Sequence, residues 1–246
     1  MRYFNKGGVL NLSGMLLSDT CYLQSTCWKF QNKDAECKHS TIFCPRQFRI
    51  NYLFDQSLMS MKQRQHKPLR LDEDGKDRDA FNKLKSIEDN IEKFVETGTN
   101  LYIHSLISGN GKTEWSLRLL QSYINKIWFK SDLRCRVLFV NVPRYLISLK
   151  ESITTPCDYV DHIKKHIFDA DIVVFDEIGI KAATTFEFEN LLNFINTRLD
   201  LGKSNIYTSN LTTQELNDRL GSRLYSRILH MSVDIEFKGS DKRGLL

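Results

Sequence analysis

From residue 81 onward the apolar positions change their period repeatedly, and each change marks an element. Phe81, Leu84, Ile87, Ile91, Phe94 and Val95 recur at helical spacing, with Gly98 where such a helix would stop. That helix feeds a short strand, Leu101–Ser105. Trp115, Leu117, Leu119, Leu120, Tyr123, Ile124 and Ile127 predict a helix packed on a sheet, and Val137–Val142 is a continuous apolar run ending at Pro143, as in a strand buried on both faces. Helices through Tyr145–Ile153 and Tyr159–Phe168 follow, then a buried strand from Asp171 to Phe175. Phe188, Leu191, Leu192, Ile195 and Leu199 return to helical spacing within Phe186–Leu201. The remaining elements are a strand over Ser204–Asn210, a helix over Leu211–Arg219, the segment Leu220–Arg227 and a last strand over Ser232–Phe237.

The first 60 residues lack this order. They are rich in cysteine and aromatics, and residues 61–80 turn charged, with a proline and a glycine, as in a linker. The basic half of that linker offers charge to nucleic acid or a partner, although a solvated tether is the plainer reading. Four of the six cysteines, Cys21, Cys27, Cys37 and Cys44, lie in the first segment with His39 among them. Thiolates and an imidazole can close a tetrahedral zinc site, for which Cys27, Cys37, His39 and Cys44 are the candidate ligands. Separate inert thiols are the alternative, because no C-x-x-C pair is present.

Composition narrows the setting. The chain of 246 residues carries a net charge of +5, which permits contact with nucleic acid without demanding it. No run of about 18 apolar residues suggests a membrane span, and the broken apolar start does not read as a signal peptide. An intracellular, reducing, cytoplasmic setting is expected, with reduced thiols or metal ligands rather than disulfides.

Two stretches carry chemistry. In Ser108-Gly109-Asn110-Gly111-Lys112-Thr113-Glu114 a glycine turn follows a strand and opens a helix. Glycines allow the backbone to curl around a phosphate; Lys112 supplies a charge for the β- and γ-phosphates, and the Thr113 hydroxyl suits Mg²⁺. The full pattern G-x-x-x-x-G-K-[ST] would have its first glycine where Leu106 stands. The second stretch is the strand ending in Asp176-Glu177, carboxylates at the edge where open α/β sheets bind ligands. Asp176 suits the Mg²⁺ shell, and Glu177 suits the orientation and deprotonation of an attacking water. A cap after a core strand is the plainer reading. Asn210 either meets the γ-phosphate or caps the next helix together with Ser209. Arg223 and Arg227 lie one helical turn apart and are either solvated or presented to a neighbouring subunit.

In their order and spacing, GNGKT at 109–113, VVFDEIG at 173–179, IYTSN at 206–210 and LGSRLYSR at 220–227 resemble the AAA+ ATPases of the DnaC/DnaI type. These are replicative helicase loaders, and the versions carried by bacteriophages are the most similar. The resemblance covers about residues 81–246 and implies a P-loop α/β fold: five parallel strands with helices on both faces. It implies ATP and Mg²⁺ between neighbouring protomers, with Lys112 and Thr113 as Walker A, Asp176 and Glu177 as Walker B, and Asn210 as sensor 1. It also implies Arg227, or else Arg223, as arginine finger, and Arg243 at the late position that reads the γ-phosphate in cis. Residues 1–60 resemble the helicase-gripping module of such loaders, zinc-containing in some members. The implied partners are a ring helicase, single-stranded DNA and further copies of the chain, in a bacterial host's cytoplasm. The alternatives are a transposition-helper ATPase of the IstB type, which shares this core, and a non-hydrolysing adaptor that binds a host replication protein.

Overall fold

The computed structural model describes residues 44–65, 75–130, 132–179 and 184–242. Its centre is a five-stranded, wholly parallel sheet in the order β2-β3-β4-β1-β5. The strands are β1 (Asn100–His104), β2 (Val137–Asn141), β3 (Ile172–Asp176), β4 (Ser204–Ser209) and β5 (Ser232–Glu236). Helices precede and separate them: α1 (Pro45–Gln56), α2 (Arg78–Asp89), α3 (Ile91–Glu96), α4 (Lys112–Ile127), α5 (Val142–Glu151), α6 (Asp158–His166), α7 (Thr185–Asp200) and α8 (Thr213–His230). No helix among the described residues is long and apolar enough to cross a membrane.

Side chains alternate across a strand, so β1 to β4 each feed two cores, while the edge strand β5 feeds one through Ile235. Leu101, Ile103, Val137, Phe139, Ile172, Val174, Ile206 and Ile235 pack with α1 to α4 on one face. Tyr102, Leu138, Val140, Val173, Phe175 and Tyr207 pack with α5 to α8 on the other. This double burial is why β2 and β3 read as nearly unbroken apolar runs, and the architecture is the one expected from the sequence.

Local chemistry explains where the elements differ from their expected limits. The helix expected over residues 81–95 is two helices, because Asn90 leaves helical geometry (φ −111°, ψ 29°) and its side chain takes the Ser86 carbonyl. The segment after Arg219 continues one element, α8, bent at Gly221 where φ is 69°. Gly98 turns the chain into β1 at φ 64°, and a Cβ there would lie 2.4 Å from the Gly202 carbonyl oxygen, so only glycine fits.

The packing also runs across the expected division at residue 60. Ile50, Leu53, Phe54 and Met59 are buried in the same core as β1 and α4. Each such side chain contributes about 1.5–3 kcal/mol by leaving water. The Phe139 N–H donates to the Ser57 carbonyl (2.8 Å), so this segment covers the outer edge of β2.

Candidate functional site

The C-terminal ends of β1, β4 and β3 lie side by side, and the loops leaving them converge there. The loop after β1 runs from Ser105 to Gly111, with Gly109 and Gly111 at φ 80° and 105°. Gly111 is the N-cap of α4, and a Cβ built on it meets nothing within 4 Å. Its φ, rather than crowding, is therefore what requires glycine. Ser105 and Asn110 brace the loop from inside: Asn110 Nδ2 donates to Ser105 Oγ (2.5 Å), which also accepts the Ile107 N–H (3.1 Å). The Lys112 ammonium is buried and donates to the Ile107 carbonyl (3.0 Å), Asn110 Oδ1 (3.1 Å) and the Ser105 carbonyl (3.5 Å). These are oxygen acceptors of its own loop, which an anionic ligand's oxygens can replace with stronger, charge-assisted bonds. Ser108 is exposed and Glu114 half-buried in the first turn of α4, while Leu106 is exposed at the loop's outer side.

Thr113 faces the second stretch. Its hydroxyl donates to Asp176 Oδ1 (2.9 Å), and Thr208, on the intervening strand β4, donates to the same oxygen (2.8 Å). Thr208 Oγ1 also accepts the Glu177 N–H (2.9 Å), which fixes the turn after β3. Glu177 sits there at φ 60°, in the left-handed region that a side chain enters only under strain. Asn141 closes the group from β2. Its Oδ1 caps α5 by accepting the Arg144 N–H (3.1 Å), leaving Nδ2 toward Glu177 Oε2 (3.2 Å) and Asp176 Oδ2 (3.5 Å).

Burial pushes the Asp176 carboxyl above its ordinary range; the Thr208 and Thr113 hydroxyls and Asn141 pull it back, and the Glu177 charge adds to the rise. All its hydrogen-bond partners are neutral. A buried carboxylate bonded by neutral groups, beside a second carboxylate and a hydroxyl, is a hard-oxygen donor set that fits Mg²⁺ through Thr113 and Asp176.

Asn210 follows β4 at the same edge, and its buried Oδ1 has no hydrogen-bond partner among the described residues. The cap of α8 belongs to Thr212, which exchanges bonds with Glu215 (Glu215 N–H to Thr212 Oγ1, 3.1 Å), so the capping alternative for Asn210 falls away. Ser209 instead bonds the Ile178 carbonyl (3.1 Å) and accepts the Leu211 N–H (3.2 Å). Arg223 is exposed and Arg227 half-buried beyond the bend of α8, and neither bonds another described residue. Cys27, Cys37, His39 and Arg243 lie outside the described residues. Cys44 is a half-buried free thiol at the start of α1, and no cluster of three metal-binding side chains occurs among the described residues.

Sequence reasoning named Lys112, Thr113, Asp176 and Glu177 and missed Asn141 and Thr208. Both stand at or near a strand's C-terminal end, where a polar residue closing an apolar run was the available signal.

The strand order, with β4 between the glycine loop and the acidic turn, defines the class as a parallel α/β fold that the DnaC helicase loader and DnaI share. No protein-family model and no curated protein matches the chain. Among solved structures, the DnaC helicase loader is similar over 65% of this chain and 89% of its own, at 21% identity and a TM-score of 0.53. DnaI is similar over 74% of this chain and 96% of its own, at 21% identity and a TM-score of 0.54. The replication initiator DnaA bound to AMPPCP and single-stranded DNA is similar over 67% of this chain and 47% of its own, at 20% identity and a TM-score of 0.51. At these identities the likeness is one of fold.

Proposed function

We propose that this chain is an ATP-hydrolysing helicase loader of DNA replication, acting in a bacterial cytoplasm on a ring helicase and single-stranded DNA. The observation that carries the reading is the meeting of Thr113 and Asp176 at 2.9 Å across an intervening strand, with Glu177 and Lys112 at the same edge. In this reading Lys112 exchanges its loop carbonyls for β- and γ-phosphate oxygens, and the amides of Ser108–Thr113 line the phosphates. Mg²⁺, held by Thr113 and Asp176, would neutralise charge on the β- and γ-phosphates. Glu177 accepts the proton of the attacking water as the water oxygen bonds the γ-phosphorus and the bond to ADP breaks. Asn141 holds the Glu177 carboxylate until the water arrives, and Asn210 orients that water or the γ-phosphate. Arg227, with Arg223 as the alternate, reaches the site of a neighbouring copy, which makes assembly depend on nucleotide.

Residues 1–60 are assigned to gripping the helicase, with α1 shared with the motor core, residues 61–80 to the connection, and residues 81–246 to the ATPase. Zinc binding by Cys27, Cys37, His39 and Cys44, and a γ-phosphate contact by Arg243, belong to the same proposal. The fold shared with DnaC, DnaI and a DnaA bound to AMPPCP and single-stranded DNA supports it.

The test compares wild type with Lys112→Ala and Glu177→Gln in ATP turnover and in ATP-dependent pull-down of a ring helicase from a bacterial lysate. Wild type should turn over ATP, Lys112→Ala should lose nucleotide binding, and Glu177→Gln should bind ATP, stall and retain the helicase. Identical behaviour of all three would replace the motor with the inert adaptor, a reading that the exposed Leu106 at the expected glycine position favours. Single-stranded DNA should be held by phosphate contacts, with affinity falling steeply as salt rises. Preference for duplex DNA would point to the IstB-type helper instead.

A further inference from the structure

Asp77 stands at the N-cap position of α2, only 1% exposed, yet its side chain makes no cap bond there. It is turned toward the far end of the chain instead. Oδ1 accepts the backbone N–H groups of Lys238 (2.7 Å) and Gly239 (2.9 Å), and Oδ2 accepts the Lys242 ammonium (3.2 Å). That ammonium also lies over the Phe237 ring, 5.8 Å from its centroid, while the Phe237 N–H extends the β5 pairing to the His104 carbonyl (2.9 Å). The segment so held reaches the glycine loop: the Lys242 N–H donates to the Gly109 carbonyl (3.0 Å). Gly109 is one of the two loop glycines at positive φ. A continuous line of bonds therefore runs from a buried carboxylate, through residues 238–242, to the peptide that sets the turn of the loop. On the other side Phe81, four residues beyond Asp77, meets Trp115 of α4 edge to face at 5.1 Å, so the start of α2 is fixed to the helix that the loop opens.

We infer that Asp77 is a positioning residue of the candidate nucleotide site: it clasps Lys238–Lys242 against the glycine loop, and the Lys242 amide in turn holds the Gly109 peptide. An ion bonded to two amides and an ammonium is a strong anchor for a segment with little core of its own. Linkage makes the effect mutual, so a ligand that prefers the ordered loop also tightens the clasp. The nucleotide part of this inference rests on the proposed function; the hold on the loop does not.

The experiment is amide hydrogen exchange on the nucleotide-free full chain, followed by titration with a fluorescent ATP analogue. Asp77→Ala removes the carboxylate, Asp77→Asn keeps an acceptor for the two amides, and Lys242→Pro removes the donor to Gly109 together with the ammonium, which Lys242→Ala removes while keeping that donor. Asp77→Ala and Lys242→Pro should each speed exchange over Gly109–Lys112 and weaken the analogue by about tenfold, within the usual span of coupling between sites, with Asp77→Asn in between. In wild type the analogue should slow exchange at Lys238 and Gly239. A purely structural Asp77 would lower the melting temperature and leave loop exchange at the wild-type rate well below it, and that result overturns the inference. Should Asp77→Ala not fold, Asp77→Asn and Lys242→Pro give the same decision. If wild type binds no analogue while loop exchange still responds to the variants, the clasp stands and the ATP reading falls. If the analogue binds all variants alike and loop exchange is unmoved, the clasp falls alone.

Discussion

At the N-terminal ends of β3 and β4 the Arg198 guanidinium is wholly buried and makes four short hydrogen bonds. It donates to Asn205 Oδ1 (2.6 Å) and to the carbonyls of Ile167 (2.6 Å), Ala170 (2.8 Å) and Ser204 (2.6 Å). Burial lowers its pKa to about 9, against an ordinary 12.5. At the C-terminal ends of the same strands the polar groups are less complete: Asn210 Oδ1 has no hydrogen-bond partner among the described residues, Glu177 is held at φ 60°, and Asp176 is bonded by neutral groups. One end uses buried polarity to lock strands together, whereas the other keeps it available. A cluster with most of its donors bonded carries stability, and a less complete, strained one is where a ligand has something to gain.

Perturbing each end should separate the two. Arg198→Met has the largest expected effect, a loss of about 3–5 kcal/mol, because the acceptors stay buried after their donor is gone. A melting temperature lower by on the order of 10 °C in calorimetry is the check, with nucleotide affinity kept in the folded fraction. Thr208→Val, at the other end, removes the donor to Asp176 and the acceptor of the Glu177 N–H. It should destabilise by about 1–3 kcal/mol and also slow ATP turnover, which chemical denaturation and a phosphate-release assay would reveal together. Glu177→Gly should raise stability by under about 1 kcal/mol through relief of the left-handed strain, while turnover disappears. A lowered midpoint in denaturant would mean that the strain is not real.

The mildest perturbation is pH. On α6, burial lowers the His162 pKa, and burial with the neighbouring His162 and Lys165 lowers that of His166 to about 4, against an ordinary 6.5. His162 Nε2 lies 2.8 Å from the Gln56 carbonyl, at the end of α1. The fold favours the neutral rings, so their contribution is complete above pH 6.5 and is lost as the pH falls from 6.5 toward 4. The melting temperature should decline in that window, and a His162→Gln, His166→Gln double variant should flatten the decline.

What the sequence disclosed follows from range. The glycine loop and the Asp176-Glu177 pair announce themselves because each is a run of adjacent residues at the end of an apolar strand. Asn141 and Thr208 do not, because their meaning depends on β2 and β4 flanking β3, an order that no local pattern encodes. From the sequence Asn210 with Ser209 is a plausible cap of α8, and only the backbone shows that Thr212 exchanges the capping bonds with Glu215. The fold was legible because doubly buried strands are continuous in sequence. The place of α1 in the core was not, since its apolar residues sit among Arg, Gln and Asn without a clean stripe.

The bend at Gly221 has a consequence for assembly. Leu216 and Leu220 moor the first half of α8, and Leu224 and Ile228 moor the second, so the helix is two rods meeting at one joint. The heading of Arg223 and Arg227 is therefore written in a single pair of dihedral angles. A straightened rod would aim the same guanidinium groups elsewhere without altering one residue of the sheet.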